Sequence, residues 1–134
     1  MIDIENQVFT QVKAAITSEY PGVFVSGDYV DAPASFPCVF LMEMSNTADT
    51  STRTSSSNEN FAQLMYELNV YSTKSSGRKS EAKRLAKAAD AAFQKLGFTR
   101  TMLAPVINAA DTSVYRILGR YTCLADHNDT IYRR

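Results

Sequence analysis

Tryptophan is missing from this chain of 134 residues, histidine occurs once and cysteine twice. Each scarcity removes a class of chemistry. His127, in the polar stretch ADHNDT, gives no basis for a Ser/His/Asp relay. With Asp126 and Asp129 it makes only a weak metal-ligand pattern on a turn. Cys38 and Cys123 lie far apart, neither in a C-x-x-C pair and both in apolar, strand-like runs, so buried free thiols are expected. Five scattered glycines supply no Walker loop and no dinucleotide fingerprint. A nucleophile elbow is likewise missing, and no carboxylate pair sits in a recognisable acid/base context. The residues therefore predict no catalytic group, no cofactor and no metal. No apolar run approaches the ~20 residues that cross a bilayer, and MIDIENQVFTQ lacks the basic start and apolar run of a signal peptide. The expectation is a cytoplasmic protein with no membrane contact.

What is present is a globular composition, 45% hydrophobic and 21% charged, in a length suited to one domain. Acids and bases balance at 14 each, but unevenly along the chain. Residues 1–60 hold eight acids against two bases, and residues 74–100 hold eight bases against two acids. A protein that coats nucleic acid is basic overall. This polarity suits head-to-tail self-association, in which an acidic surface of one copy meets a basic surface of the next, as well as it suits solvated faces.

Hydrophobic periodicity predicts a helix over 3–20, with Asp3 as N-cap and Ile4, Val8, Phe9, Val12, Ala15 and Ile16 on one stripe. Pro21-Gly22 stops it. VFVSGDYV, residues 23–30, reads as a strand. Phe36-Pro37 leads a second strand over 37–44, and either isomer of that peptide bond is allowed. Residues 61–71, FAQLMYELNVY, alternate with Ala62, Leu64, Tyr66, Leu68 and Val70 on the core face and Gln63, Glu67 and Asn69 on the other. The second helix spans 78–96, its apolar face built by Ala82, Leu85, Ala86, Ala89, Ala92, Phe93 and Leu96, with Gly97 as C-terminal cap. A strand over 98–107, broken near Pro105, and a long strand over 114–125 follow; residues 127–134 read as a loose tail. The expected fold is α+β, order α-β-β-β-α-β-β: a mostly antiparallel sheet of four to five strands packed by two helices.

Between the second and third strands, residues 46–59 are almost wholly polar. Most connections in a compact domain need about 4–6 residues. Ser, Thr and Asn compete with the backbone for hydrogen bonds, so a mobile hairpin arm that orders on a partner is expected. Candidate interface residues are Asn46, Thr47, Thr52, Arg53 and Asn58 on this arm. Lys83 and Lys87 on the basic helix, and Arg116 and Arg120 on one face of the last strand, join them. The basic helix has no interleaved aromatics on which bases could stack.

In element order the chain resembles the tail terminator (tail completion) proteins of long-tailed bacteriophages. Phe36 through Glu43 is similar to the strand that opens that family's central sheet, and Phe61 through Tyr71 to its partner. Ser80 through Phe98 resembles the packed helix, and Tyr115 through Leu124 the last strand. The resemblance implies a structural virion protein of the tail or neck, assembled in the host cytoplasm. It implies a hexameric ring of this chain on the end of the tail tube, closed so that no circumferential edge is left. The implied partners are further copies of itself, the tail tube protein and a head connector or stopper protein, with non-specific DNA contact in the lumen left open. The residues leave two alternatives standing: a small α+β module that binds nucleic acid or a host protein, and another neck component such as an adaptor or stopper.

Overall fold

The computed structural model describes residues 1–28, 35–49, 60–107 and 113–132. Helix α1 spans Glu5–Glu19, β1 Phe24–Ser26, β2 Cys38–Ala48, β3 Phe61–Ser72, α2 Arg78–Leu96, β4 Thr99–Val106, β5 Tyr115–Asp126 and β6 Ile131–Tyr132. The fold is α+β in the predicted order, with a two-residue strand added at the end. All strands join one sheet in the order β1-β2-β3-β5-β4. Only β1 runs parallel to its neighbour. Along β5, β4 pairs as far as Thr122, and β6 takes up the same strand at Leu124 and Ala125. The peptide bond between Phe36 and Pro37 is cis.

Both helices pack on one face of the sheet. Ile4, Val8, Val12 and Ile16 of the first helical stripe are buried, four residues apart. Asp3 Oδ1 accepts the Glu5 N–H at 3.1 Å, so it satisfies one of the first free donors of α1. The alternating set of β3 is buried throughout, against Val39 and Leu41 of β2 and Ile117, Tyr121 and Cys123 of β5. Helix α2 is bounded by Gly77 (φ +83°) and Gly97 (φ +106°), both left-handed. Gly97 has a second constraint: a Cβ there would stand 3.2 Å from Ile131 Cγ2, so the strand β6 closes tightly over the helix end.

An aromatic cluster ties these layers. The Phe93 ring stacks on Tyr121 at 4.1 Å with 9° between planes, and Phe98 meets Phe93 and Tyr66 edge-on at 5.1 and 5.3 Å. All four rings are buried. Both tyrosine hydroxyls reach carboxylates at the rim: Tyr66 donates to Glu43 at 3.1 Å and Tyr121 to Asp90 at 2.7 Å. Burial, with these carboxylates, holds both phenols far above their ordinary pKa.

Four expectations need correction. Strand β2 does not end at Met44. A bulge between Glu43 and Ser45 shifts the register, and Ser45 to Ala48 pair with Met65 to Ala62. Asn46 and Thr47 are therefore ladder residues; positions 50–59 of the expected arm lie outside the described residues. The first strand is three residues long, and positions 29–34 also lie outside. The expected loose tail is tied down as far as Tyr132, positions 133–134 lying outside the described residues: Asp126 Oδ1 accepts the Asn128 and Thr130 amides, both at 2.9 Å, and Oδ2 accepts the Tyr132 hydroxyl at 3.0 Å. These hydrogen bonds, the Thr130 amide first, hold the Asp126 carboxyl below its usual pKa. Pro105 sits within β4 without breaking it, because β4 is an edge strand that can spare a donor.

Because Phe93 contacts three other rings, Phe93→Ala should cost about 3–5 kcal/mol, the usual range for emptying an aromatic core site. Denaturant unfolding of the two proteins side by side measures it.

Candidate subunit interface

The two lysines and the two arginines singled out in the sequence fall on opposite faces of the sheet. Lys83 and Lys87 project from exposed positions of α2. They rim a groove of about 400 Å³ between α2 and β4, floored by Ala86, Leu103, Pro105 and Ile117. The groove exists because β4 lies outside the footprint of α2: Leu103, on the helix side of this edge strand, stays 41% exposed. Asp90 closes one end, accepting the Tyr121 hydroxyl and the Arg100 guanidinium (3.0 Å) on Oδ1 and the Gln94 amide on Oδ2. Neither Lys83 nor Lys87 has an ion pair among the described residues.

Arg116 and Arg120 are engaged within their own chain. Arg116 donates through Nε and Nη2 to Asn69 Oδ1 at 3.0 and 2.7 Å and lies over the Tyr71 ring at 5.5 Å. Asn69 Nδ2 donates to Glu67 Oε1, and Glu67 Oε2 pairs with Arg120 Nε at 3.5 Å. Asn69, expected on the solvated face, is consequently buried, its amide oxygen taken by Arg116 and its amide nitrogen by Glu67. Asn46 is also engaged: its Nδ2 donates to the Ile2 carbonyl at 2.7 Å and ties the N-terminal segment to β2. Thr47 is exposed beside Ser45, Gln63, Met65 and Thr122 on the face away from the helices. Thr52, Arg53 and Asn58 lie outside the described residues.

One charged feature escaped the sequence. Where β2 runs on past β1, at the opposite edge from the lysine groove, Glu5 Oε2 accepts the Glu43 N–H at 3.1 Å; Asp3 Oδ1 accepts the Glu5 N–H, although Ile4 and not the expected Asp3 is the N-cap of α1. Three carboxylates thus gather at one corner, from positions that only strand pairing brings together. Burial, and then the nearby Glu5 and Asp3 charges, push the Glu43 carboxyl above its usual range against the opposing Tyr66 hydrogen bond. The thiols of Cys38 and Cys123 are free and buried, and burial pushes them up to about 11 and about 12. Among the described residues no cluster of His, Cys, Asp and Glu could hold a metal ion, and no helix is long and apolar enough to cross a membrane.

The Glu43 shift has a sign. Its native pKa lies above the unfolded value, so the stability it contributes is present at low pH and is lost as pH rises through the raised pKa. Glu43→Gln keeps an acceptor for Tyr66 and removes the titration. The variant should be more stable than wild type at neutral pH and lack this slope, checked by denaturant midpoints across the range from about pH 4 to about pH 8.

The comparisons bear on the whole arrangement. A solved structure that carries no functional name aligns over 89% of this chain and 90% of its own, with a TM-score of 0.58 and 15% identity; the likeness is one of fold. No curated protein matches the sequence. The family model described as tail completion protein gp17 matches residues 7–123, nearly all of α1 and the sheet into β5. The chain therefore belongs to the tail completion protein gp17 family and is a structural component of the bacteriophage tail.

Proposed function

We propose that this chain caps the tail tube as a closed ring, a hexamer in the simplest arrangement, and helps join the tail to the head. The observation that carries the reading is membership of the tail completion family. Completing a tube demands a surface that meets its last subunit and admits no further one. A ring built on a heterologous contact meets that demand, because closure leaves no unpaired subunit face around the circumference. The partners are further copies of this chain, the tail tube protein and a head connector or stopper protein. Assembly takes place in the host cytoplasm and the ring remains in the virion. Lys83, Lys87 and Thr47 present exposed side chains for contacts with neighbouring copies or the tube, whereas Asn46, Arg116 and Arg120 help hold their own chain together.

Multi-angle light scattering, with and without isolated tail tube, tests the reading directly. A ring-sized mass, alone or on tube, is expected, together with arrest of tube extension when the protein is added to polymerising tube subunits. A monomer under both conditions, with tubes growing unchecked, would sink it. Retention of nucleic acid by that monomer at moderate salt would point instead to a small binding module.

A further inference from the structure

The groove between α2 and β4 has an apolar floor and a cationic rim, and its cations are unmatched within the described chain. Leu103 and Pro105 are open to solvent on that floor. At the other edge of the same sheet stand Asp3, Glu5 and Glu43, drawn together by the Glu5–Glu43 and Asp3–Glu5 hydrogen bonds. Beside them the partly buried Phe9 ring packs against Gly27, so this corner too combines acid with apolar surface. The strand order puts the two features at opposite edges, one at β4 and one where β2 continues past the three-residue β1.

We infer that the Lys83/Lys87 groove is the seat for the Asp3/Glu5 corner of a second copy of this chain. This rests on the ring reading above and names its seam. The charges are complementary and lie on different edges. Two grooves facing each other would set four lysines together, and two acid corners would set carboxylate against carboxylate. The favoured contact is therefore head-to-tail, with a polarity that repeats from copy to copy. The seam closes through side chains, with Leu103 and Pro105 covered and the lysines neutralised at the rim. Its strength falls as salt rises, since the charges lie at the surface.

A mixing experiment tests the assignment. Lys83→Glu/Lys87→Glu makes both edges acidic; Asp3→Lys/Glu5→Lys makes both basic. Each variant alone should need a roughly tenfold or greater rise in concentration to assemble, from like-charge juxtaposition at every seam. An equimolar mixture should recover wild-type mass by light scattering, because alternating copies restore every pair. Recovery on mixing also shows that both variants are folded. Lys74→Glu/Lys95→Glu, with the same change of charge away from the groove, should assemble like wild type. Leu103→Glu should block assembly in otherwise unaltered protein. If wild-type protein forms rings and Lys83→Glu/Lys87→Glu forms them equally well, the seam assignment falls while the ring reading stands. If folded variants fail singly and also fail when mixed, the seam assignment is again overturned. If wild-type protein never assembles, with or without tube, both fall.

Discussion

Four buried rings set the relative position of everything else in this molecule. Phe93 of α2 stacks on Tyr121 of β5, and Phe98, at the turn into β4, wedges against both Phe93 and Tyr66 of β3. Helix and strands are thereby fixed through one contact set. The two tyrosines are longer than the core is deep, and their hydroxyls emerge at its two sides. One ends on Glu43 of β2 and the other on Asp90 beside the α2–β4 groove. A buried hydroxyl without a partner is costly, so each carboxylate is part of the core's polar accounting as well as its surface. The two edge features are thus anchored to one rigid interior and do not ride on loops.

The face of the sheet away from the helices solves a different problem. Polar side chains along β3 and β5 could have been left to solvent, yet Arg116, Asn69, Glu67 and Arg120 form a continuous hydrogen-bonded row across the two strands. Cross-strand pairs of this kind stabilise the sheet modestly. Their larger effect is on register, since a slip of one residue would break every link in the row. The arginines are largely committed to that role, which separates them from Lys83 and Lys87 on the other face, which have no ion pair among the described residues.

The amphipathic elements were legible from the residues. Helix α2 runs over the predicted 78–96 because its alanine-rich helical spacing and the glycine at position 97 agree, while the left-handed Gly77 at its start came only from the structure. Strand β3 shows the same agreement between alternation and burial. Less legible was anything that depends on a neighbouring strand. Ser45 to Ala48 have no strong strand preference of their own and extend because β3 pairs with them across a bulge. Ile131 and Tyr132 are paired because Asp126 folds the intervening turn back onto β5. Asn69 reads as a surface residue until Arg116 is placed beside it. Likewise Lys83 and Lys87 were visible as a helical stripe, but their groove required knowing that β4 lies at the sheet's edge. The acid corner required Glu43 to be brought to Asp3 and Glu5, some forty residues earlier in sequence.

Strand β4 carries one more implication. An open strand edge is a template on which any extended chain can be added. Here the edge is interrupted twice, by the register shift between Arg100 and Met102 and by Pro105, which has no amide hydrogen to offer. Neither end of the strand leaves a long uninterrupted row of donors and acceptors. Growth of the sheet from one molecule into the next is discouraged by the backbone itself, so this border of the molecule cannot readily seed a fibre.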